Sequence, residues 1–575
     1  MTIVHQSFKI VKVIYRLTFA VALVLCVFYP QVSSAQKSQA LKLQEQLSSV
    51  IKRVKPACVR MWGFDTLAQQ RTSAQFSAVV IKDGYILTAA HVSAPGNTYQ
   101  VMFPDGRVGI ATALGKIELS EDKTRPDVAL MKMVSIGDWP YAEMGNSAEL
   151  KPNQPCLSIS YPETLNQSPP TVRFGHITEP RVTRGFIKST CMMEPGDSGG
   201  PLFNADGEVI GLHSAIEIPE ADNYDVPVNS YKKYWAALNV AMVYHTLPEA
   251  TNTMDEFSGK KQPAGTSLLQ DMASFTGVGK SYQKSIMSIS SVLQGRNQTI
   301  AGTLISLKGT SLEKALGSFV VISKSSMVGD TDITVAGKKA TVIKRDKETD
   351  LVMLRPGVSF PGGIDLKRTS SGNIAEGTFL ISPGIDTAAV VGILGSDRFD
   401  LPKVTGAGFL GATAQHASQP AKLYFVRAGS PAAKNDFRVG DIIAQLDGKP
   451  VENAAGFLDS MSTYWPGDIV TIKLKRGSEE FVKSIALTYP PQIKHDHPAE
   501  NFAGGKSLRR DGFNSVYVYD AVLKADQCGG PVFDINGNFR GINIARFSRA
   551  CTVILSVSDV IQFLNNSVDN TKPRS

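Results

Sequence analysis

Residues 196–215 read GDSGGPLFNADGEVIGLHSA, and residues 526–545 read DQCGGPVFDINGNFRGINIA. Each is a Gly-rich turn followed by two short apolar, β-branched runs around a second turn, the pattern of a tight loop feeding a β-hairpin. A second pair stands upstream in the same order, PDVALMKM (126–133) and TDLVMLRP (349–356). Two motifs repeated in one order imply two copies of one β fold. Asp127 and Ser198 are 71 residues apart, whereas Asp350 and Cys528 are 178 apart, so the second copy holds about 107 extra residues. An insertion of that length is the size of a domain.

The first copy carries the parts that peptide hydrolysis by a serine requires: a hydroxyl nucleophile, a base, a group that orients the base, and donors for the oxyanion. His91 ends the apolar run YILTAAHV, Asp127 opens DVALMKM, and Ser198 sits in GDSGGP. Gly196 permits a turn tight enough for the N–H groups of Gly196 and Ser198 to converge on one oxygen, while Gly199 and Gly200 permit close backbone approach. A lone His, Asp or Gly-rich serine turn is ordinary. The three together, in this order and each in a fitting local context, point to a catalytic triad with an oxyanion hole at Gly196 and Ser198. His213, in a strand-like run, reads as a structural residue.

TAAHV, PDVALMKM, GDSGGPLFNADGEVIGL and YDVPVN resemble, in order and over about 160 residues, the motifs of the HtrA (DegP-like) group of chymotrypsin-type endopeptidases. That resemblance implies an exported serine endopeptidase acting on unfolded or damaged polypeptides, with homo-oligomers possible. It also implies a specificity pocket floored by Met192 and Met193 and walled by Ser214, Ala215 and Ile216, suited to a small or medium aliphatic side chain. The group usually has Asn before the nucleophile, where this chain has Asp197. Residues 405–489, with GAGFLGA and VRAGSPAAKNDFRVGDIIAQLDGKPVENAAGFLDSM, resemble a bacterial PDZ domain. The resemblance implies that Gly408, Phe409, Leu410 and Gly411 form a loop whose N–H groups receive a peptide C-terminus. HtrA proteins place such a domain after the protease; here it is inserted within the second copy.

The second copy reads as a degenerate protease domain. Aligning FVVISKSSM with YILTAAHV puts Ser325 or a neighbour where His91 stands, Cys528 replaces Ser198, and Asp350 matches Asp127. Two alternatives remain open at this point. Cys528 acts as a nucleophile with a substitute base among Lys324, His416, His495 and His497, or it forms a disulfide with Cys551, Cys156 and Cys191 being an equally open candidate pair in the first copy.

The fold class expected is mainly β: two chymotrypsin-like double β-barrel domains and an inserted α+β PDZ domain. Residues 1–35, with Lys9, Lys12, Arg16 and an apolar run from Leu17 to Tyr29, read as a signal peptide cleaved after Ala35. The periplasm or the exterior is then the destination. The expected layout continues with a linker or short helix at 36–50, the protease domain at 51–247, a linker at 248–280, and the degenerate domain at 281–404 and 490–566. Loss of the signal lowers the formal charge from +8 to about +5, too little to imply nucleic acid. It also leaves an odd five cysteines, Cys58, Cys156, Cys191, Cys528 and Cys551, without zinc-site spacing. Neither metal nor organic cofactor is expected. The reading from a different class is a non-catalytic scaffold or holdase that captures peptides through residues 408–411.

Overall fold

The computed structural model describes residues 32–119, 126–182, 184–251, 279, 282–369, 372–491 and 496–569. Of the signal peptide read at 1–35, residues 1–31 lie outside the described residues, as do 252–278 and 280 of the linker read at 248–280, and His495.

Alternation of buried and half-buried positions along Val108–Ile117 marks a strand with one face on a core. That strand closes a ring with Cys58–Asp65, Phe76–Ile81, Tyr85–Ala89, Thr98–Met102 and Val128–Met133. A second closed barrel follows, of Pro155–Ser160, Thr171–Glu179, Ile187–Ser189, Pro201–Phe203, Val209–Ile216 and Asn223–Pro227. The next domain repeats the plan. Its first ring runs from Ile286–Leu293 to Leu351–Pro356 and closes where Ile286–Leu293 meets Arg296–Ser306. Its second half is a seven-stranded sheet, including Phe513–Tyr519, Pro531–Asp534, Phe539–Arg546 and Thr552–Ser556. The molecule is mainly β, with two double-barrel domains of chymotrypsin type.

The insert enters between Phe399–Leu401 and Phe513–Tyr519. It has a two-stranded and a four-stranded sheet, a helix Ala454–Ser462 capped by Asn453, and its own core around Phe437, Ile443, Phe457 and Val470. Its root is tied to the host by Asp511, whose carboxylate accepts from the N–H groups of Thr405 (2.6 Å) and Gly406 (2.8 Å).

The two double-barrel domains share one core rather than touching edge to edge. A helix Val32–Val54, longer than the short element expected at 36–50, buries Leu47, Val50, Ile51 and Val54 in a cluster that also holds Val209 of the first domain and Phe379 and Ile381 of the second. Positions 47, 50, 51 and 54 keep one helical face, so the helix continues past residue 50 until Pro56. Gln44 accepts from Phe379 N (2.9 Å) and Gln46 donates to Ala205 O (3.1 Å), stitching the helix to both domains.

Candidate active site

His91 lies in the single turn Ala90–Val92 that ends the strand Tyr85–Ala89. Asp127 precedes the neighbouring strand with a left-handed φ of 46°. Its carbonyl accepts from Ala90 N (3.2 Å) and its Oδ1 from His91 N (3.1 Å). Backbone and carboxylate are thus both fixed to the turn carrying His91. The ring Nδ1 is 3.0 Å from Asp127 Oδ2, and Nε2 is 3.0 Å from Ser198 Oγ. With the proton on Nδ1, Nε2 accepts from the serine hydroxyl, the arrangement of a nucleophile beside its base.

Ser214 Oγ also donates to Asp127 Oδ2, at 2.5 Å. The Ser214 hydroxyl thus serves the carboxylate, a role beyond the place along the pocket wall expected for this residue. Burial works against the Asp127 charge, but the bonds from His91 and Ser214 outweigh it and hold its pKa below the usual carboxylate range.

The turn around Ser198 is held from behind. Pro195 O accepts from Glu163 N (2.9 Å) and Asp197 O from Gly200 N (2.8 Å), which turns the opposite edges of those two peptides, the N–H groups of Gly196 and Ser198, away from these partners. Gly196 has a φ of 93°, which side-chain-bearing residues rarely adopt. A Cβ on Gly199 would lie 2.0 Å from Thr88 Oγ1. The glycine spacing is therefore a packing requirement as well as a turn requirement.

Of the other pocket residues, Met193 is 3% exposed, and its N–H donates to Asn223 Oδ1 (3.1 Å). Met192 is half-buried, with its sulfur 3.5 Å from Asn223 Nδ2. Ala215 is exposed and Ile216 half-buried. His213 is fully buried between Asp225 (Nδ1–Oδ1 2.6 Å) and Ser158 (Nε2–Oγ 2.5 Å), a polar string closed to solvent and so without access to substrate.

Three groups were missed by sequence reasoning: Arg173, which pairs with Asp197; Asn223; and Arg549 of the second domain, which donates to Met193 O (2.8 Å). Each acts across at least 24 residues, and nothing in its local sequence marks it.

In the second domain the residue at the His91 position is Ser326, not Ser325. Lys324 stands opposite Leu351 as Ala89 stands opposite Val128, and Ser326 N donates to Asp350 Oδ1 (2.7 Å) as His91 N does to Asp127. Lys324 is buried, with Nζ 2.6 Å from Asp350 Oδ2, so it is engaged as an ion-pair partner. Cys528 is fully buried near Ser507 Oγ (3.8 Å), and burial pushes its thiol pKa up. The cysteine-nucleophile alternative lacks both an activated thiolate and access. Cys528 and Cys551 are free, and Cys156 and Cys191 are free with sulfurs 3.8 Å apart, so neither expected disulfide is formed.

In the inserted module, Gly408 N donates to Tyr464 O (2.9 Å) and Phe409 N to Thr488 O (2.8 Å). These two N–H groups serve the module's own fold. The peptide-terminus expectation therefore narrows to Leu410 and Gly411.

Residues 76–212 match the trypsin-like peptidase domain and residues 408–487 the PDZ domain. The chain is 38% identical over 152 residues to a Halomonas elongata protein named "Probable periplasmic serine endoprotease DegP-like", covering 26% of this chain and 31% of that protein. A Marinomonas protein of the same name is 35% identical over 26% of this chain and 30% of its own length. Serine protease HTRA1 of Xenopus laevis is 28% identical over 33% of this chain and 42% of its own. The chain thus spans under half the length of these curated relatives.

Proposed function

We propose, taking as premise a chain that carries a trypsin-like peptidase domain and a PDZ domain and is similar to DegP-like serine endoproteases, that it hydrolyses internal peptide bonds in unfolded exported proteins. The observation that supports this most directly is His91 Nε2 at 3.0 Å from Ser198 Oγ with Asp127 on the other ring nitrogen. Ser198 Oγ attacks the scissile carbonyl as its proton passes to His91 Nε2. The tetrahedral oxyanion is met by the N–H groups of Gly196 and Ser198; losing one such donor typically costs about a hundredfold or more in rate. His91 then protonates the leaving amine, and water repeats the sequence on the acyl-enzyme. Asp127 keeps the imidazole in the required tautomer and stabilises the imidazolium.

In this reading the periplasm is the working compartment, as the relatives' names suggest, and the PDZ module recruits polypeptide ends through Leu410 and Gly411. The second domain, with Ser326 and Cys528 where base and nucleophile would stand, does no chemistry. Cleavage of an unfolded casein-like substrate by mature protein should vanish in Ser198→Ala and persist in Cys528→Ala. Activity surviving Ser198→Ala would overturn the assignment, and inactivity of every form, together with no fluorophosphonate labelling, would favour a binding scaffold.

A further inference from the structure

The hairpin Phe539–Arg546 and Thr552–Ser556 repeats Val209–Ile216 and Asn223–Pro227, since Asn543 faces Ile554 as His213 faces Asp225. The connection in the first domain, 217–222, flanks the candidate site. Its counterpart, 547–551, reaches into the first domain at residues 193–194 and 220–223. Arg549 there has no exposure. Its Nη1 donates to Met193 O (2.8 Å) and Asn223 Oδ1 (3.1 Å), and its Nη2 to Glu220 O (2.5 Å). The next residue, Ala550, donates its N–H to Glu194 Oε1 (3.0 Å).

Arg549 and Ala550 therefore tie two segments of the first domain, 193–194, which runs into the Ser198 turn, and 220–223, which runs into the strand paired with the one carrying Ser214. On the other face Arg173 donates to Met192 O (3.0 Å) while pairing with Asp197. Two successive carbonyls, Met192 and Met193, are gripped by guanidinium groups from different domains. A planar guanidinium with five fixed donors can hold several acceptors at once, which an ammonium on a flexible stem cannot. The Arg549 partners are two carbonyls and an amide rather than a carboxylate, so what the contact sets is loop position.

We propose that Arg549 is a positioning residue for the first domain's peptidase site: it fixes both walls that grip the substrate residue before the scissile bond, making the degenerate domain a working part of the enzyme. The proposal rests on the peptidase reading above and adds the regulation of that site. The triad itself lies wholly within the first domain, so a wall defect and a triad defect separate experimentally.

The test compares wild type, Arg549→Ala, Arg549→Lys and Ser198→Ala as full mature chains on chromogenic peptides that vary in the residue before the cleaved bond, with fluorophosphonate labelling in parallel. The expected result is a fall in kcat/KM of about a hundredfold that grows with the size of that residue. Labelling of Ser198, which needs little of the walls, should stay within about tenfold of wild type. Arg549→Lys should recover only part of the loss. Wild-type kcat/KM in Arg549→Ala, or an equal loss across all peptides and labelling, or failure of both Arg549 variants to fold, would each overturn the positioning role. Activity that persists in Ser198→Ala would instead overturn the peptidase reading itself.

Discussion

Arg173 and Asp197 form a buried ion pair one residue before Ser198, with Nη1 2.6 Å from Oδ2 and the two side chains 2% and 1% exposed. The carboxylate is fully used: Oδ2 also accepts from Glu194 N (2.8 Å), and Oδ1 from Ser160 Oγ (2.8 Å). An Asp at this place is thus satisfied inside the domain by a partner 24 residues away in sequence. Removing one member of such a pair strands a buried charge, which typically costs about 3–5 kcal/mol. Arg173→Met should show that loss in denaturant unfolding, whereas Arg173→Met with Asp197→Asn should recover much of it. Additive losses in the double-variant cycle would contradict this account of the pair.

Ser214 yields a kinetic prediction. Its hydroxyl donates to the same Asp127 oxygen as the His91 ring, and hydrogen bonds to charged groups contribute about 1.5–3 kcal/mol. Ser214→Ala should lower kcat/KM by about tenfold or more. It should also raise the Asp127 pKa, since a bond that favours the ionised form is lost. The acid limb of the pH–rate profile would then shift, with little change in KM for small substrates. A profile superimposable on wild type would remove Ser214 from the site.

What was legible in the sequence had local causes. GDSGGP, TAAHV and the Asp before VALMKM announce themselves because each demands a glycine turn, a small-residue strand end or a strand start within a few residues. The double-barrel architecture followed from repetition of those same segments. What was not legible depends on contacts between distant segments. Ser214 looked like pocket wall because strand alternation does not say that the strand before Ala215 brings its hydroxyl to Asp127, 87 residues away. Ser325 and Ser326 could not be separated without ladder register, a one-residue choice that decides which side chain faces the site. The N–H groups of Gly408 and Phe409 are used by Tyr464 and Thr488, carbonyls that no loop motif contains. Arg549 is visible only once the two domains are packed together.

Cys528 should behave as an inert core thiol. It has no exposure, and burial raises its pKa despite the nearby Lys324 charge. The native protein should resist alkylation at Cys528 by iodoacetamide at neutral pH and become reactive there in denaturant, and Cys528→Ala should leave cleavage rates within about twofold of wild type. Rapid native labelling at this position, followed by mass spectrometry of the peptide, would contradict the burial argument.

The contact between the two domains should respond to pH through Asp520. This second-domain carboxylate accepts from Phe174 N of the first domain (2.7 Å) and from Ile393 N (2.6 Å). Burial is the main influence on it and, against the opposing pull of those two bonds, its pKa is pushed up to about 6 from 3.8. The folded form therefore binds a proton more tightly than the unfolded chain, and between about pH 4 and pH 6 unfolding releases that proton. The stabilisation linked to Asp520 is fully present below about pH 4 and is lost as pH rises through about 6; a shift of about two units corresponds to on the order of 3 kcal/mol. Asp520→Asn cannot titrate and lacks this slope. Thermal unfolding of both forms at several pH values from 4 to 7 should show wild type gaining stability relative to the variant as pH falls, with the divergence centred between pH 4 and 6. Parallel curves across that range would mean that the Asp520 proton is not linked to folding, and that its two N–H partners rather than its burial govern its charge.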